Sequence, residues 1–171
     1  MPITCSTRSA RALASTGRRR FLRGAAAAPL ALLARPSGAT DYASASEVLD
    51  AIDRREADVD ARLAAIARVV AGADTFARSV AADHAGQRTE RERLRRRLKL
   101  PVSSPPAAPS KPDVSLAGLR DAQQELVHAH AEGLPALGDA GAVDLLAHHM
   151  VDGARHLTVI DLWIEAEELR G

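Results

Sequence analysis

The most constraining feature of this chain is an uninterrupted apolar stripe near its carboxyl end. Between about residues 142 and 169, small or apolar residues recur every three or four positions: Val143, Leu146, Met150, Gly153, Leu157, Ile160 and Ile164. This heptad-like spacing places the side chains on one face of a helix. Because a helix with one apolar face must bury that face against another element, the stripe predicts a helix packed in a bundle.

Three earlier segments show the same helical period, and strand-like alternation is not apparent. They cover about residues 44–71, 74–99 and 115–137, and their stripes are Val48, Ile52, Val59, Leu63, Ile66 and Val70, then Phe76, Val80, Leu94 and Leu98, then Leu119, Ala122, Leu126, Ala129 and Gly133. Aromatic residues make up only 2% of the chain, whereas Ala, Leu, Glu and Arg are abundant, which favours helices over strands.

The connections between these segments predict how the helices are arranged. Gly72 and the stretch "GDAG" make two short links, so the first two helices and the last two helices form antiparallel hairpins. The proline-rich linker "PVSSPPAAPSKPD", residues 101–113, cannot continue a helix and is long enough to run back along a bundle. We therefore expect an all-α fold, an antiparallel four-helix bundle formed by residues 40–171.

Residues 1–39 have the composition of an export signal. They contain seven arginines and no acidic residue, and the apolar run at 24–34 is about half as long as a transmembrane helix requires. Small residues at Ser37-Gly38-Ala39 predict cleavage by a signal peptidase after Ala39. We expect a disordered or extended leader and no stable membrane span after its removal.

The run Arg18-Arg19-Arg20-Phe21-Leu22-Arg23 resembles the twin-arginine consensus, although Gly17 stands where that pattern prefers Ser or Thr. The resemblance implies the twin-arginine translocase as a partner and a periplasmic or secreted protein. An arginine- and serine-rich leader without acidic residues is also typical of mitochondrial transit peptides, and that alternative stays open.

Charge and cysteine content exclude several classes of function for the mature chain. The leader holds seven of the 23 basic residues and none of the 22 acidic ones, so the remainder carries 16 against 22, a net charge of −6. This sign argues against nucleic-acid binding, and the run "RTERERLRRRLK" is better explained as a solvated helix end. Cys5, the single cysteine, leaves with the leader, which excludes disulfides and thiolate metal sites.

Several polar residues continue the apolar stripes where water-facing positions would be expected. Asp83, His84, Gln87 and Arg91 follow Val80, and Gln123 and His130 lie close to the core face of the third helix. On the fourth helix, His149, Asp152 and His156 share one flank. Folding the hairpins places His84, His130 and His149 at similar heights, so imidazoles from three helices are expected in one layer.

Two interpretations of this polar layer remain open. Imidazoles and carboxylates on facing helices are ligands for a transition-metal ion, and the candidate ligands are Asp83, His84, His130, His149, Asp152 and His156. Alternatively, the polar groups satisfy one another and only specify packing. Across the first hairpin Arg62 comes level with Asp83, and Glu56 comes roughly level with Arg91, so interhelical ion pairs are expected there.

Three short motifs resemble the repeated helix segments of a known protein family. "FARSVAADHAGQ", "ELVHAHAEGL" and "GARHLTVIDL" look like segments of ferritin-like exported bacterial proteins of unknown function, formerly described as predicted outer membrane proteins. The resemblance spans roughly residues 45–168 and implies a ferritin-like bundle. The family pattern falls on Asp83 and His84, on His130 and on His156. This chain departs from the pattern at Ala129 and Arg155, which stand where acidic residues are expected.

The remaining motifs favour a protein without catalytic activity. Ferritin-like di-iron enzymes use Glu-x-x-His on two helices, whereas this chain has one such pair, Glu125 and His128, which the helical wheel places away from the core. Hydrolase triads, phosphate loops and dinucleotide fingerprints are not recognisable. Trp163 is expected to cover a partner helix or to form a homodimer contact.

Overall fold

The computed structural model describes residues 43–103, 112 and 114–169. Within these residues the chain forms four α-helices and no strand: α1 (Ala45–Ile66), α2 (Ala73–Leu98), α3 (Leu116–Gly133) and α4 (Ala140–Glu168), with a short 3-10 turn at Leu134–Ala136 after α3. The predicted all-α, four-helix architecture is confirmed. The predicted leader at residues 1–39 and most of the proline-rich linker lie outside the described residues.

Three of the helices begin with a side-chain N-cap. The hydroxyl oxygens of Ser44 and Ser115 and the carboxylate of Asp139 each accept a hydrogen bond from a backbone N–H in the first turn of α1, α3 and α4, at 3.3, 3.0 and 2.7 Å. These caps satisfy donors that a helix leaves unpaired at its amino end. None of the described helices is long and apolar enough to span a membrane.

Residues with left-handed backbone conformation lie at both ends of α2, Gly72 before its first residue and Lys99 after its last. The helix α1 stops at Ile66, earlier than the period of its stripe predicted, because residues 67–72 form turns that finish at Gly72 with φ +84°. At the other end of α2, Lys99 has φ +56°, and the amide of Leu100 donates to the carbonyl of Arg95 at 2.9 Å. This bond satisfies a carbonyl at the end of α2.

Contacts at the beginning of α1 fix the directions of the helices. The last turns of α2 and of α3 both lie there, since Arg95 bonds Asp50 and Gly133 packs against Val48. The helices α2 and α3 are therefore antiparallel to α1, and they run in the same direction as each other. The segment between Lys99 and Ser115 consequently connects opposite ends of the bundle.

The helix α3 packs most closely, on α1 on one side and on α4 on the other, whereas α2 and α4 contact each other least among the neighbouring pairs. Glycines allow the close approach: a Cβ at Gly133 would overlap Val48 Cγ1, and a Cβ at Gly153 would lie 2.8 Å from Val127 Cγ2. The apolar core lies mainly along α1 and α3, with smaller contributions from α2 and α4, and a looser seam remains between α2 and α4.

This packing predicts opposite effects for two glycine-to-alanine substitutions within helices. Gly153→Ala should lower the free energy of unfolding by about 1–3 kcal/mol, because the new methyl group overlaps Val127. Gly86→Ala meets open space on α2 and should raise it by about 0.5–1 kcal/mol, because alanine loses less backbone entropy on folding. Urea unfolding of both variants measures the difference, and equal effects would contradict the close approach of α3 and α4.

Candidate functional site

The buried polar residues form two groups within the bundle. The ion-pair cluster lies between α1 and α2 and consists of Asp50, Asp53, Glu56, Arg91 and Arg95. The second group, which we call the imidazole layer, consists of His84 on α2, His130 on α3, and His149 and His156 on α4. It reaches from the height of Arg91, where His149 bonds Glu90, to the height of Asp83, which bonds His156. Each group comes from polar residues that interrupt apolar stripes in the sequence.

The ion-pair cluster is centred on Arg91, whose side chain is almost completely buried. Its Nε donates to Asp53 Oδ1 at 2.9 Å, and its guanidinium also bonds Glu56, the partner that the sequence predicted. Arg95 bridges Asp50 at 2.8 Å and Asp53 at 3.0 Å. Burial lowers the pKa of Arg91, and the negative charge of Asp53 opposes that effect. Because each charge faces an opposite charge on the other helix, the cluster fixes one register between α1 and α2.

The four imidazoles form two pairs. The rings of His130 and His149 meet edge to face with centroids 5.9 Å apart, and the rings of His84 and His156 do so at 5.7 Å. The sequence placed His84, His130 and His149 at one height, and this expectation is wrong. The α2 partners of His149 and His156, Glu90 and Asp83, are seven residues apart, so the two histidine pairs lie about two helical turns, or ~10 Å, apart along the bundle. The structure brings His130 together with His149 across the α3–α4 interface, and it brings His84 together with His156 across the α2–α4 interface.

Each imidazole is held by one hydrogen bond to a neighbouring acceptor. The bonds run from His84 Nδ1 to Asp60 at 2.6 Å, from His130 Nδ1 to the Leu126 carbonyl at 2.8 Å, from His149 Nε2 to Glu90 at 2.9 Å, and from His156 Nε2 to Asp83 at 3.2 Å. Asp60 and Glu90 were not predicted. Asp60 could have been found from its spacing, since it continues the α1 face of Asp53 and Glu56 at helical intervals.

The same bonds leave three ring nitrogens with lone pairs turned away from any donor. His130 Nε2, His149 Nδ1 and His156 Nδ1 are buried and have no hydrogen-bond partner among the described residues. In a neutral ring, the nitrogen that donates carries the proton and the other nitrogen carries the lone pair. Buried polar atoms usually have a partner, so three unpartnered imidazole nitrogens in one layer call for an explanation.

Burial keeps these rings neutral. It lowers the pKa of His130 from 6.5 to about 3, and the nearby positive charge of Arg91 acts in the same direction. Burial likewise lowers the pKa of His149 and that of His156, whereas Glu90 and Asp83 respectively oppose the change. At neutral pH His130, His149 and His156 therefore present uncharged imidazoles, the form that binds metals.

The predicted carboxylates lie at the edge of the imidazole layer. Asp83 is half exposed and bonds His156, while Asp152 accepts a hydrogen bond from Gln87 at 3.4 Å and one from Arg155 at 2.8 Å. Among the described residues, no three His, Asp or Glu side chains are grouped so that they could share one metal ion. The buried pair His130 and His149 is the closest approach of imidazoles from α3 and α4.

Two other sequence features have separate surroundings. Glu125 is exposed and His128 is half buried on α3. Trp163 packs edge to face on Phe76 of α2 with ring centroids 4.9 Å apart, so part of its surface covers a neighbouring helix of the same chain. The predicted homodimer contact through Trp163 stays a prediction.

An open groove separates α2 from α4 beside the imidazole layer. Its volume is about 520 Å³, and its lining is Ala82, Asp83, Gly86, Gln87, Glu90, Gly141, Asp144, Leu145, His148, His149 and Asp152. We call it the acidic groove, because it contains four carboxylates. A smaller cavity of about 240 Å³ adjoins it and shares Glu90, Gly141 and Leu145, with Arg93 and Arg97 on its wall.

Comparisons of the chain with protein-family models, with curated proteins and with solved structures find no significant match. The resemblance to ferritin-like exported proteins and to a twin-arginine signal therefore stays a prediction from the quoted motifs.

The ion-pair cluster predicts a strong effect of removing its central cation. Arg91→Met should lower the free energy of unfolding by about 3–5 kcal/mol, because Asp53 and Glu56 would remain buried without their partner. The triple variant Arg91→Met, Asp53→Leu, Glu56→Leu should recover most of that loss. Urea unfolding compares the three proteins, and a triple variant no more stable than the single one would argue against the pairing.

The imidazole layer predicts a loss of stability in acid. Since the unfolded pKa of His130 is near 6.5 and the folded pKa is about 3, the unfolded chain binds the extra proton between these values. Stability of the metal-free protein should be full above about pH 6.5 and should fall as the pH decreases toward 3. The charged or titratable groups around the ring are Arg91, His84 and His149.

Unfolding midpoints measured from pH 7 to pH 4 test this dependence. His130→Leu removes the buried base and should flatten part of the decrease. His148→Gln changes an exposed histidine and serves as the matched control, which should follow the wild-type curve. An unchanged slope in His130→Leu would show that the acid sensitivity arises elsewhere.

Proposed function

We propose that this protein is an exported, ferritin-like four-helix bundle of the cell envelope that binds a transition-metal ion through the buried imidazoles of α3 and α4. The observation that carries the proposal is the pair of unpartnered nitrogens, His130 Nε2 and His149 Nδ1, on adjacent buried rings. Neutral imidazole is a ligand of zinc, copper, iron and nickel.

The surroundings of the pair support this donor role. Histidine ligands commonly donate their second ring nitrogen to a carboxylate or a backbone carbonyl, which fixes the tautomer and the ring orientation. His149 does so to Glu90, and His130 does so to the carbonyl of Leu126. Metal–nitrogen bonds of about 2.0–2.1 Å put two imidazoles on one ion with centroids about 5–6.5 Å apart. The observed separation of 5.9 Å falls in that range.

The pair supplies two nitrogen ligands from the protein. His130 and His149 would hold the ion, and Glu90 and Leu126 would orient them from behind. A bound transition-metal ion supplies a Lewis-acidic centre. Such a site also joins α3 to α4, so metal binding would stabilise the folded chain.

Topology and leader support the assignment to an exported ferritin-like bundle. Two antiparallel hairpins joined by a connection between opposite ends of the bundle are an arrangement that ferritin-like proteins share. The leader, which lies outside the described residues, resembles a twin-arginine signal. Because the twin-arginine translocase carries folded proteins, the ion could be loaded before transit.

A specific observation favours a second candidate, a structural or protein-interaction bundle without metal. The ion-pair cluster holds its charges within the protein and sets helix register, and no described group of three donors is arranged around one point. In that case the imidazole layer would serve the same purpose as the ion-pair cluster, which is to select one packing arrangement.

Metal analysis of the protein purified from the exported fraction tests the proposal. The wild type should contain up to about one equivalent of a transition metal, and added Zn²⁺ should raise its melting temperature. A variant with His130→Leu and His149→Leu should lose both effects, because the substitutions remove the nitrogens and keep much of the side-chain volume.

The matched control changes two histidines outside the layer, His128→Leu and His148→Leu, and should retain metal and the thermal shift. If wild type and the His130/His149 variant contain equally little metal and neither responds to Zn²⁺, the metal proposal fails. The second candidate, the structural bundle, would then account for the layer.

A further inference from the structure

The acidic groove between α2 and α4 lies directly beside the proposed metal site. We propose that this groove is the entrance through which hydrated divalent cations reach His149. The inference rests on the proposed metal site, and it adds the route by which the ion is gathered from solution.

Charge is the first observation that carries the inference. The described lining contains Asp83, Glu90, Asp144 and Asp152 and no lysine or arginine. A cleft that carries charge of one sign between low-dielectric walls concentrates ions of the opposite sign and speeds their association. Arg155 pairs with Asp152, and Arg93 and Arg97 line the adjoining smaller cavity. Arg97 approaches Gly141, but its charge is paired with Asp139 at 2.6 Å. The groove therefore keeps an excess of negative charge.

Shape is the second observation. The groove is open because small residues line it, namely Ala82 and Gly86 on α2 and Gly141 on α4, and because α2 and α4 are the neighbouring helices that contact least. A Cβ at Gly86 would meet no atom within 4 Å. The groove consequently has room for an ion with its hydration shell, and such an ion would remain hydrated until it reaches the imidazoles.

The position of His149 is the third observation, and it is independent of the acidic residues. His149 lines the groove, yet it is only 3% exposed, and its Nδ1 has no hydrogen-bond partner among the described residues. Its other nitrogen bonds Glu90, whose carboxylate is half exposed in the groove. The ring of His149 also meets His130, so one side chain connects the groove with the buried pair.

If the groove is the entrance, changing its charge should alter the rate of metal uptake and leave the amount of metal bound at equilibrium unchanged. Asp144 lines the groove, and no side-chain hydrogen bond to the imidazoles involves it, so its substitution changes the field in the groove and leaves the ligands in place. Asp144→Lys should slow the uptake of Co²⁺ about three- to tenfold at low ionic strength, because the local charge changes by two. The final amount of bound Co²⁺ should equal that of the wild type.

The matched control is Asp121→Lys, which makes the same change of net charge at an exposed position of α3 outside the groove. Stopped-flow absorption after mixing with CoCl₂ measures the rates. The difference between the two variants should shrink in salt of about 0.5 M, where screening shortens the reach of charges. Asp144→Asn and Asp121→Asn provide a milder pair if a lysine variant folds poorly.

The outcomes separate the two proposals. Wild-type protein that binds no Co²⁺ would remove the proposed function and the entrance with it. Wild-type protein that binds Co²⁺ while Asp144→Lys and Asp121→Lys take it up at equal rates would overturn the entrance alone. Slower uptake in Asp144→Lys that persists unchanged in high salt would also overturn it, because steering by charge is sensitive to salt.

Discussion

The pairing of Arg91 with Asp53 and Glu56 is the interaction on which the polar interior depends. A buried guanidinium with two carboxylates on a facing helix tolerates very little sliding, because a shift by one turn would leave charges without partners in a medium of low dielectric. The apolar side chains of α2 are too few to define its position against α1 as sharply. The cluster therefore sets the height of every other residue on α2.

The position of α2 along α1 determines which residues the buried histidines contact. With α2 in this register, His84 reaches Asp60 on α1, and Glu90 and Asp83 face the histidines of α4. The carboxylates of the two α2 residues are half exposed, whereas the imidazoles they bond are buried. His149 and His156 thus each have one nitrogen bonded to a half-exposed carboxylate and the other buried without a hydrogen-bond partner among the described residues. The proposed metal site uses the unpartnered Nδ1 of His149.

Sequence periodicity predicted the fold well because several independent signals agree. Heptad stripes, glycine and proline positions, and the length of the linker all indicate two helical hairpins, and polar residues on the stripes indicated a buried polar layer. The partners within that layer could not be predicted as well. Short loops fix the heights within a hairpin, but α2 and α4 belong to different hairpins, so the pairing of His84 with His156 and the acidic groove depend on side-chain packing between them. Glu90 was not predicted for the same reason. On the helical wheel of α2 alone, it lies among the charged residues that face solvent, and its bond to His149 depends on the position of α4.

The helix α3 packs on α1 and α4 through glycines, whereas α2 is joined to α1 partly through buried ion pairs, and this difference affects the order in which the helices unfold. Gly133 and Gly153 let α3 lie against α1 and α4 at short range, which makes those three helices a tightly interlocked apolar unit. The helix α2 packs less extensively on its neighbours, and ion pairs and hydrogen bonds, which water can replace, make up much of its attachment beside a few apolar contacts. Regions with few buried apolar contacts exchange their amide hydrogens first. Partial unfolding of this bundle should therefore begin with detachment of α2, while the other three helices keep their protection longest.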